Sequence, residues 1–514
     1  MAVFNFVRKS FYRDSVTLMR VSRDLEAVPG VISATAMMAT PANRALLSQA
    51  GLLTAEGDQA DSTDLVVAVT AESGAAAEAA RDAIERALLE RATPTSGAWT
   101  GVRPRTLAGA LRALPEANLA LISVPGMYAG AEAMKALRAG LHVMLFSDNV
   151  PVDTEVELKR LALERGRLMM GPDCGTAIVD GVPLGFANAV PRGRIGLAAA
   201  SGTGLQEVSC VIAREGEGIS QALGVGGRDL SDAVGGRMML RALELLAADA
   251  STEVVCVVGK PPGRAVAPRL AEALERLGKP CVVFLAASGG ARPRRDAGES
   301  AGVHMAGTLE DAGRAAVALA RGKRPEARDF TLPAAEVERL VSEAARGLGP
   351  GQRSVRGLYA GGTLAYEAMA LLGERLADVA TSLTTAGRGH RVIDLGDDVF
   401  TVGRPHPMID GRLRREWIEK DGRDPETAVI LLDVVLGHGT PDDPAGEILP
   451  ALRAVRDARH VAFVASVCGT DADAPSRAAQ AAALRAAGVL VVDGNAQAAR
   501  LAAAIARRAG APAR

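Results

Sequence analysis

Two short glycine-rich stretches carry hydroxyls where a helix would begin. The first is Ala200–Gly204, with Ser201, Gly202 and Thr203; the second is Tyr359–Thr363, with Gly361, Gly362 and Thr363. Each follows an apolar run and precedes residues at helical spacing. Small residues at a helix start leave the first-turn N–H groups unblocked, and that terminus carries partial positive charge, so the chemistry offered is anion binding. The same residues would also serve as plain N-caps. Two further turns have the composition of an anion nest. In Gly224–Asp229, Gly226 and Gly227 lead to the charged donor Arg228, and Gly437–Asp442 contains Gly437, His438, Gly439 and Thr440. A tight loop with a surface arginine fits the first of these equally.

Gly403–Asp410 concentrates acid–base residues. His406 stands between Pro405 and Pro407, which hold its backbone extended, and Arg404 and Asp410 are close in sequence. His406 would transfer a proton or accept a phosphoryl group, with Asp410 orienting it; a rigid surface loop fits the same residues. Asp394, Asp397 and Asp398 offer carboxylates for Mg²⁺ or for a helix cap. Gly171–Thr176, with Asp173, Cys174, Gly175 and Thr176, is a turn after the apolar Leu168–Met170. A turn at a strand's carboxyl end is where α/β sheets bind ligands. No histidine or lysine adjoins Cys174 to lower its pKa, so a packed structural thiol is expected there. The chain has no CxxC, HxxxH or HExxH spacing, no GxGxxG and no GxxxxGK[ST]. Zinc-ribbon, thioredoxin, dinucleotide-fingerprint and P-loop chemistry are therefore not expected.

These turns need elements to hold them. Apolar runs of strand length recur at Leu65–Val69, Asn118–Val124, His142–Phe146, Ile195–Ala198, Val254–Val258, Cys281–Leu285, Val429–Val435, Val461–Val464 and Val489–Val492. Ala/Leu/Arg/Glu stretches at helical spacing separate them. Continuous apolar strands alternating with helices predict an α/β protein whose parallel sheets are buried on both faces. An internal repeat adds detail. Ile195–Glu207 resembles Val355–Glu367, placing Thr203 and Thr363 at an offset of 160. Ser288–Gly290 then matches Cys468–Thr470 at 180, and Ala301–Val303 matches Ala487–Val489 at 186. The drift needs only loop insertions. Two copies of one doubly wound unit are expected, packed about a pseudo-dyad, with both helix starts aimed at one anion.

Composition bounds the function. The 514 residues suggest several domains rather than one core. With 59 Lys+Arg against 60 Asp+Glu, the net charge of −1 excludes binding by bulk charge. Aromatics at 3% make a base-stacking nucleic-acid platform implausible. Five cysteines without close spacing suit a reducing compartment, and no apolar run reaches membrane-spanning length. The N-terminus lacks the apolar core of a signal peptide, so a cytoplasmic protein with no membrane or nucleic-acid partner is expected. The domain reading is a small α/β module over 1–100, a Rossmann-type domain over 105–190, a flavodoxin-like domain over 191–325, a linker over 326–354 and a second flavodoxin-like domain over 355–508.

Taken together, Met38–Asn43, Leu145–Asn149, Gly171–Thr176, Ala200–Gly204, Gly224–Asp229, Ala360–Thr363 and Gly403–Asp410 resemble the FdrA family, whose fold is similar to succinyl-CoA synthetase. The resemblance covers nearly the whole chain. It implies a CoA-binding-type Rossmann domain followed by two ligase-type flavodoxin-like domains. In the synthetases, helix N-termini of both subunits clasp a phosphohistidine; Ser201–Thr203 matches one clasp and Gly437–Thr440 resembles the other. Where the synthetase carries that histidine, this chain reads Ala291–Gly298 without one, and His304 falls later. Residues 321–355 are too few to hold an ATP-grasp domain.

The resemblance therefore implies a phosphate-dependent acyl or carbamoyl transferase subunit. The reaction expected is that of oxamate carbamoyltransferase, oxalurate and phosphate giving oxamate and carbamoyl phosphate in allantoin and purine breakdown, with other subunits of a hetero-oligomer as partners. One alternative is an NDP-forming acyl-CoA synthetase borrowing an ATP-grasp partner. Another is a non-catalytic scaffold that binds CoA or a nucleotide. Phosphate is the expected substrate, no cofactor is assigned, CoA or a nucleotide remains open as a ligand, and self-association is compatible with the Ala-rich helices. The catalytic expectation falls on His406 and Asp410. Phosphate binding is expected at Ser201–Thr203, Gly361–Thr363, Gly226–Arg228 and Gly437–Thr440. Asp173–Thr176 and Arg404 would line the substrate or CoA pocket, with Asp397 and Asp398 as metal candidates.

Overall fold

The computed structural model describes residues 2–11, 13, 15–90, 104–286, 302–384, 389–401 and 406–510. They divide into two compact units, one of 1–117 with 401–405 and the other of 118–400 with 406–514.

The N-terminal unit is built on a three-stranded antiparallel sheet. Leu65–Ala71 lies centrally, between Ala2–Arg8 and Val31–Met38. Helices Ser15–Glu26 and Gly74–Glu90 bury Leu18, Val21, Leu25, Ala77, Ala80 and Ile84 against Val67 and Val69. Only the central strand is buried along nearly its whole length, which matches its unbroken apolar sequence.

The larger unit holds three sheets. A small parallel sheet runs Leu119–Ile122, His142–Leu145, Met169–Met170, with helices Gly126–Arg138 and Val152–Glu164 between its strands. A seven-stranded sheet has the spatial order Val303–Met305, Cys281–Leu285, Val254–Gly259, Arg192–Ala199, Ile219–Gly224, Thr176–Val179, Val182–Gly185. Its first five strands are parallel; the last two are an antiparallel hairpin joined through Ala222 and Ile178. A five-stranded parallel sheet runs Leu490–Val492, Ala462–Cys468, Thr427–Val435, Ser354–Tyr359, Arg391–Asp394.

The repeat read from the sequence is present in the topology. In chain order, both sets of five parallel strands are arranged 2-1-3-4-5, the flavodoxin-like order. The matching of Ser288–Gly290 with Cys468–Thr470 lies outside the described residues. The hairpin Thr176–Gly185 comes from the stretch assigned to the Rossmann-type domain, yet hydrogen-bonds into the next sheet. Its turn is Asp180–Gly181, both at positive φ (49° and 80°), the dipeptide that two-residue hairpins favour.

The first helices of the two copies, Gly202–Arg214 and Gly362–Gly373, pack together. Leu205, Val208 and Ile212 share one apolar core with Leu364, Ala368 and Leu372, continued by Ala498, Ala499, Ala502 and Ala503 of helix Asn495–Ala509. The alanine load of the sequence is spent here, where small side chains let helices approach closely. Among the described residues, no helix is long and apolar enough to cross a membrane.

Candidate functional site

The strand Arg192–Ala199 is followed by Ala200, and Ser201 caps the next helix. Its backbone is extended (φ −165°, ψ 121°) and its Oγ accepts from Gly204 N at 2.9 Å. Behind this tip stands Val258, whose methyl would meet a Cβ on Gly204 at 2.9 Å. Thr176 Oγ1 lies 3.9 Å from where a Cβ on Gly202 would sit. Thr176 is only 2% exposed and that hydroxyl has no hydrogen-bond partner among the described residues. A buried hydroxyl left unpaired is costly unless a bound group satisfies it.

The second tip is close by. Ser201 Oγ and Thr363 Oγ1 are hydrogen-bonded at 2.6 Å, and Thr203 Cγ2 would lie 3.0 Å from a Cβ on Gly361. The two glycine–threonine corners therefore face each other across the seam. They are not equivalent. Ala360 N and Gly361 N donate to the two oxygens of Asp433 at 2.9 and 2.8 Å. Asp433 is fully buried and pairs with Arg414 at 3.2 Å. By strand register it occupies the place that Val258 holds in the first copy. An internal carboxylate thus takes donors at the second corner, so the two motifs do not offer the same geometry, as the sequence reading expected them to. The amides of the first helical turns, Gly202 and Thr203 on one side and Gly362 and Thr363 on the other, have no intrahelical acceptor.

His406 is brought beside the second corner, packed on Gly396: a Cβ on Gly396 would come 2.5 Å from Nε2 and 2.9 Å from Ala360 O. Its Nδ1 accepts from Met408 N at 3.2 Å, which places the ring proton on Nε2. Burial pushes the imidazole pKa down to about 4, so the ring is neutral near pH 7. Asp410 does not orient it. The Asp410 carboxylate is held instead by Arg412, through its backbone N at 2.9 Å and its guanidinium at 2.8 Å, at the start of helix Arg412–Arg423.

The turn at Gly226–Arg228 is committed to structure. Arg228 donates to Glu155 at 2.9 Å and to the Val150 carbonyl at 2.8 Å. Glu155 and Asp229 both pair at 2.8 Å with Lys159, which is fully buried. A buried ammonium needs such partners, and this network consumes the charge expected to meet an anion. Gly226 (φ 89°) packs on Gly171 and the Pro172 carbonyl, and a Cβ on Gly227 would reach Asp173 at 3.9 Å. Cys174 Sγ donates to the Gly224 carbonyl at 3.3 Å, and burial pushes its thiol up to about 12. It is a packing thiol, as expected. Gly175 accepts from Phe186 N at 2.8 Å.

Gly437–Thr440 leans on the first copy. His438 N donates to Ala187 O at 3.0 Å, and Gln206 Nε2 ties the carbonyls of Phe186 and Leu436 at 2.7 and 3.0 Å. Thr440 Oγ1 is spent on its own turn, donating to Gly437 O at 2.8 Å, and His438 is exposed. Gly439 takes φ 84°. Asp397 accepts from Val399 N at 3.0 Å, and Asp398 begins the short helix Asp398–Thr401. Among the described residues, no three His, Cys, Asp or Glu side chains gather as a metal site. Arg404 lies outside the described residues.

Three features escaped the sequence reading. Asp433 was hidden as a lone charge inside the apolar run Val429–Val435. Lys260 directly follows a buried strand and lies 4.7 Å from the Tyr366 ring centroid. Carboxyls also line the seam. Glu207 and Glu367, again 160 apart, are buried, and Glu310 joins them. Burial raises Glu367 to about 8 and Glu310 to about 7. Glu367 accepts from Leu309 N and Asn495 Nδ2, both at 2.7 Å.

Comparison with known proteins agrees with this architecture. The CoA-ligase family model matches residues 358–505, and the model described as AllF, heavy metal-associated domain, matches 1–103. The chain is 40% identical to YahF, an uncharacterized protein of Escherichia coli (strain K12), over 96% of this chain and 97% of that one. The chain belongs to the FdrA family. FdrA-type chains are succinyl-CoA synthetase-like, and two further relatives show it. The ADP-forming sulfoacetate-CoA ligase subunit SauD of Bilophila wadsworthia is 29% identical, over 39% of this chain and 68% of that one. A mitochondrial succinate–CoA ligase [ADP-forming] subunit alpha-2 of Trichomonas vaginalis is 30% identical, over 33% and 57%. Both relatives are named as subunits. The heavy-metal label finds no thiolate or imidazole donor here: residues 1–103 contain neither cysteine nor histidine.

Proposed function

We propose that this FdrA-family chain binds phosphate where the two helix tips meet and serves as a subunit of a phosphate-dependent acyl or carbamoyl transferase, with oxalurate as the acyl donor. The observation that carries the reading is the unpartnered Thr176 hydroxyl beside Gly202, where the donor amides of the first helix begin. A tetrahedral oxyanion would satisfy those donors together. Ser201 and Thr363, already hydrogen-bonded to each other, would add hydroxyls at its edge. The AllF label of the N-terminal match is consistent with allantoin metabolism.

In this reading a phosphate oxygen attacks the carbamoyl carbon, and backbone donors hold the charge that develops on the carbonyl oxygen. His406, neutral and protonated on Nε2, would serve as a hydrogen-bond donor rather than as a cationic acid. Isothermal titration of the full chain with phosphate, carbamoyl phosphate, CoA and ATP tests the reading. Phosphate binding that weakens in Thr176→Val is the expected result; tight CoA and ATP binding without phosphate binding would replace it.

The second reading is an NDP-forming acid–thiol ligase subunit completed by an ATP-grasp partner. The CoA-ligase match over 358–505 favours it. The small parallel sheet around Leu119–Met170 would then take CoA or a nucleotide, and Asp173–Thr176 would lie at its edge. Labelled acyl phosphate that leaves acid-labile phosphohistidine on His406 or His438 would support this ligase.

A further inference from the structure

We propose that Asp394 is the acid–base residue of the tip-to-tip site, carrying the proton that must pass from phosphate to the departing amide. The proposal rests on the phosphate reading above and names the group that reading lacks.

The geometry places Asp394 there. It ends the strand Arg391–Asp394, opposite Tyr359 in the parallel register, so it emerges at the same carboxyl edge as the second corner. Its Oδ1 accepts from Gly396 N at 3.0 Å. Its Oδ2 lies 2.5 Å from where a Cβ on Gly362 would be, an approach that only glycine permits at the first helical residue. Oδ2 accepts no hydrogen bond from a described residue, and the carboxyl is only partly buried. Gly361, the neighbour of Gly362, touches Thr203 of the opposite tip. The free oxygen therefore borders the start of the second helix, one residue from the point where the two tips meet.

The surroundings suit a group that both gives and takes a proton. Burial is the largest influence and raises Asp394 to about 7; the carboxylates of Asp433, from strand Thr427–Val435, and of Asp397, in its own loop, act in the same direction. Lys260, from the loop after strand Val254–Gly259, acts against them. Its ammonium rests on Tyr366 and makes no ion pair among the described residues. Beyond Gly396, His406 is neutral. A proton-transfer group works best when its pKa lies near the working pH. The other candidates fail on geometry or charge state. Asp410 is held by Arg412 and Cys174 is a buried thiol, while Glu310 and Glu367 are sealed in the seam at 1% and 4% exposure.

The step balances. A bond forms between a phosphate oxygen and the carbamoyl carbon, and the bond from that carbon to the oxamate nitrogen breaks. Hydrogen phosphate and oxalurate contain one proton to move: it leaves the phosphate and ends on the departing nitrogen. Protonated Asp394 gives its proton to that nitrogen, and the resulting carboxylate takes the phosphate's proton.

The test uses the full chain assembled with its partner subunits. It follows the pH profile of phosphorolysis and, separately, calorimetric binding of sulfate, which keeps its charge across the range. Asp394→Asn should lower kcat by about 10²–10⁴-fold. It should bind sulfate as the parent does below about pH 6, and lose the fall in sulfate affinity that ionised Asp394 imposes on the parent above about pH 7. Asp394→Glu should restore part of kcat and keep the fall. Parent-like kcat and pH profile in Asp394→Asn would overturn the proposal while leaving the phosphate site standing. So would a parent sulfate affinity without that fall. If the parent binds neither sulfate nor phosphate, the phosphate reading fails and takes the proposal with it.

Discussion

The two copies of the doubly wound unit share strand order, helix placement and a glycine–threonine corner, yet they treat their helix tips differently. In the first copy Val258 backs the tip, and Ala200 N finds only the Val258 carbonyl, at 2.8 Å. In the second, Asp433 stands at the equivalent register and accepts from both Ala360 N and Gly361 N. One residue type at one position thus separates a corner whose amides meet no carboxylate from one answered by the protein's own carboxylate. Both copies keep the frame, and they differ in the residue placed at the end of this strand.

That comparison can be broken most sharply at Asp433. Asp433→Val would make the second copy resemble the first but strand the buried Arg414 guanidinium. A loss of about 3–5 kcal/mol in unfolding free energy is expected, recovered in large part by adding Arg414→Leu. Urea unfolding of both variants checks this, and an unchanged single variant would mean that the ion pair does not hold the corner.

A smaller effect sharpens the first copy. Thr176→Val removes a hydroxyl that has no partner, so folding stability should hold or rise slightly, while phosphate affinity should fall about tenfold. Opposite signs in the two measurements are the signature of a hydroxyl kept for a ligand. A parallel loss in both would make Thr176 merely structural.

The smallest effect concerns the seam that joins the copies. Burial raises Glu310 from its ordinary 4.5 to about 7. Between those values the folded chain holds a proton that the unfolded chain has lost, so stability is full at the acid end and falls as pH rises towards 7. Glu367, at about 8, extends the fall further. Glu310→Gln should flatten the decline between about pH 5 and about pH 7, read as a smaller change in urea midpoint across that range. An unaltered slope would remove Glu310 from this account.

Much of the frame was legible because strands announce themselves locally. The runs Val254–Val258 and Val429–Val435 are buried parallel strands, and the offset between Thr203 and Thr363 marks equivalent helix tips. The hairpin at Asp180–Gly181 carried a turn signal too, but its pairing with Ile219–Gly224 is a tertiary choice. The site was less legible for the same reason. Arg228 is indistinguishable in sequence from a free anion donor until Lys159 is seen buried beside Glu155 and Asp229. The Pro405–His406–Pro407 segment suggests an exposed loop, whereas the imidazole packs on Gly396 and is half-buried. Asp410 looked like its orienting partner by proximity, and Arg412, two residues on, outcompetes it.

The central claim is that an oxyanion belongs at the first tip and not at the other glycine-rich turns. A crystal structure of the full chain with arsenate, located by its anomalous scattering, tests this most directly. The account predicts arsenate within hydrogen-bonding reach of the Gly202 and Thr203 amides and the Thr176 hydroxyl. Arsenate at Gly226–Arg228 or Gly437–Thr440, with the first tip left to solvent, would contradict it.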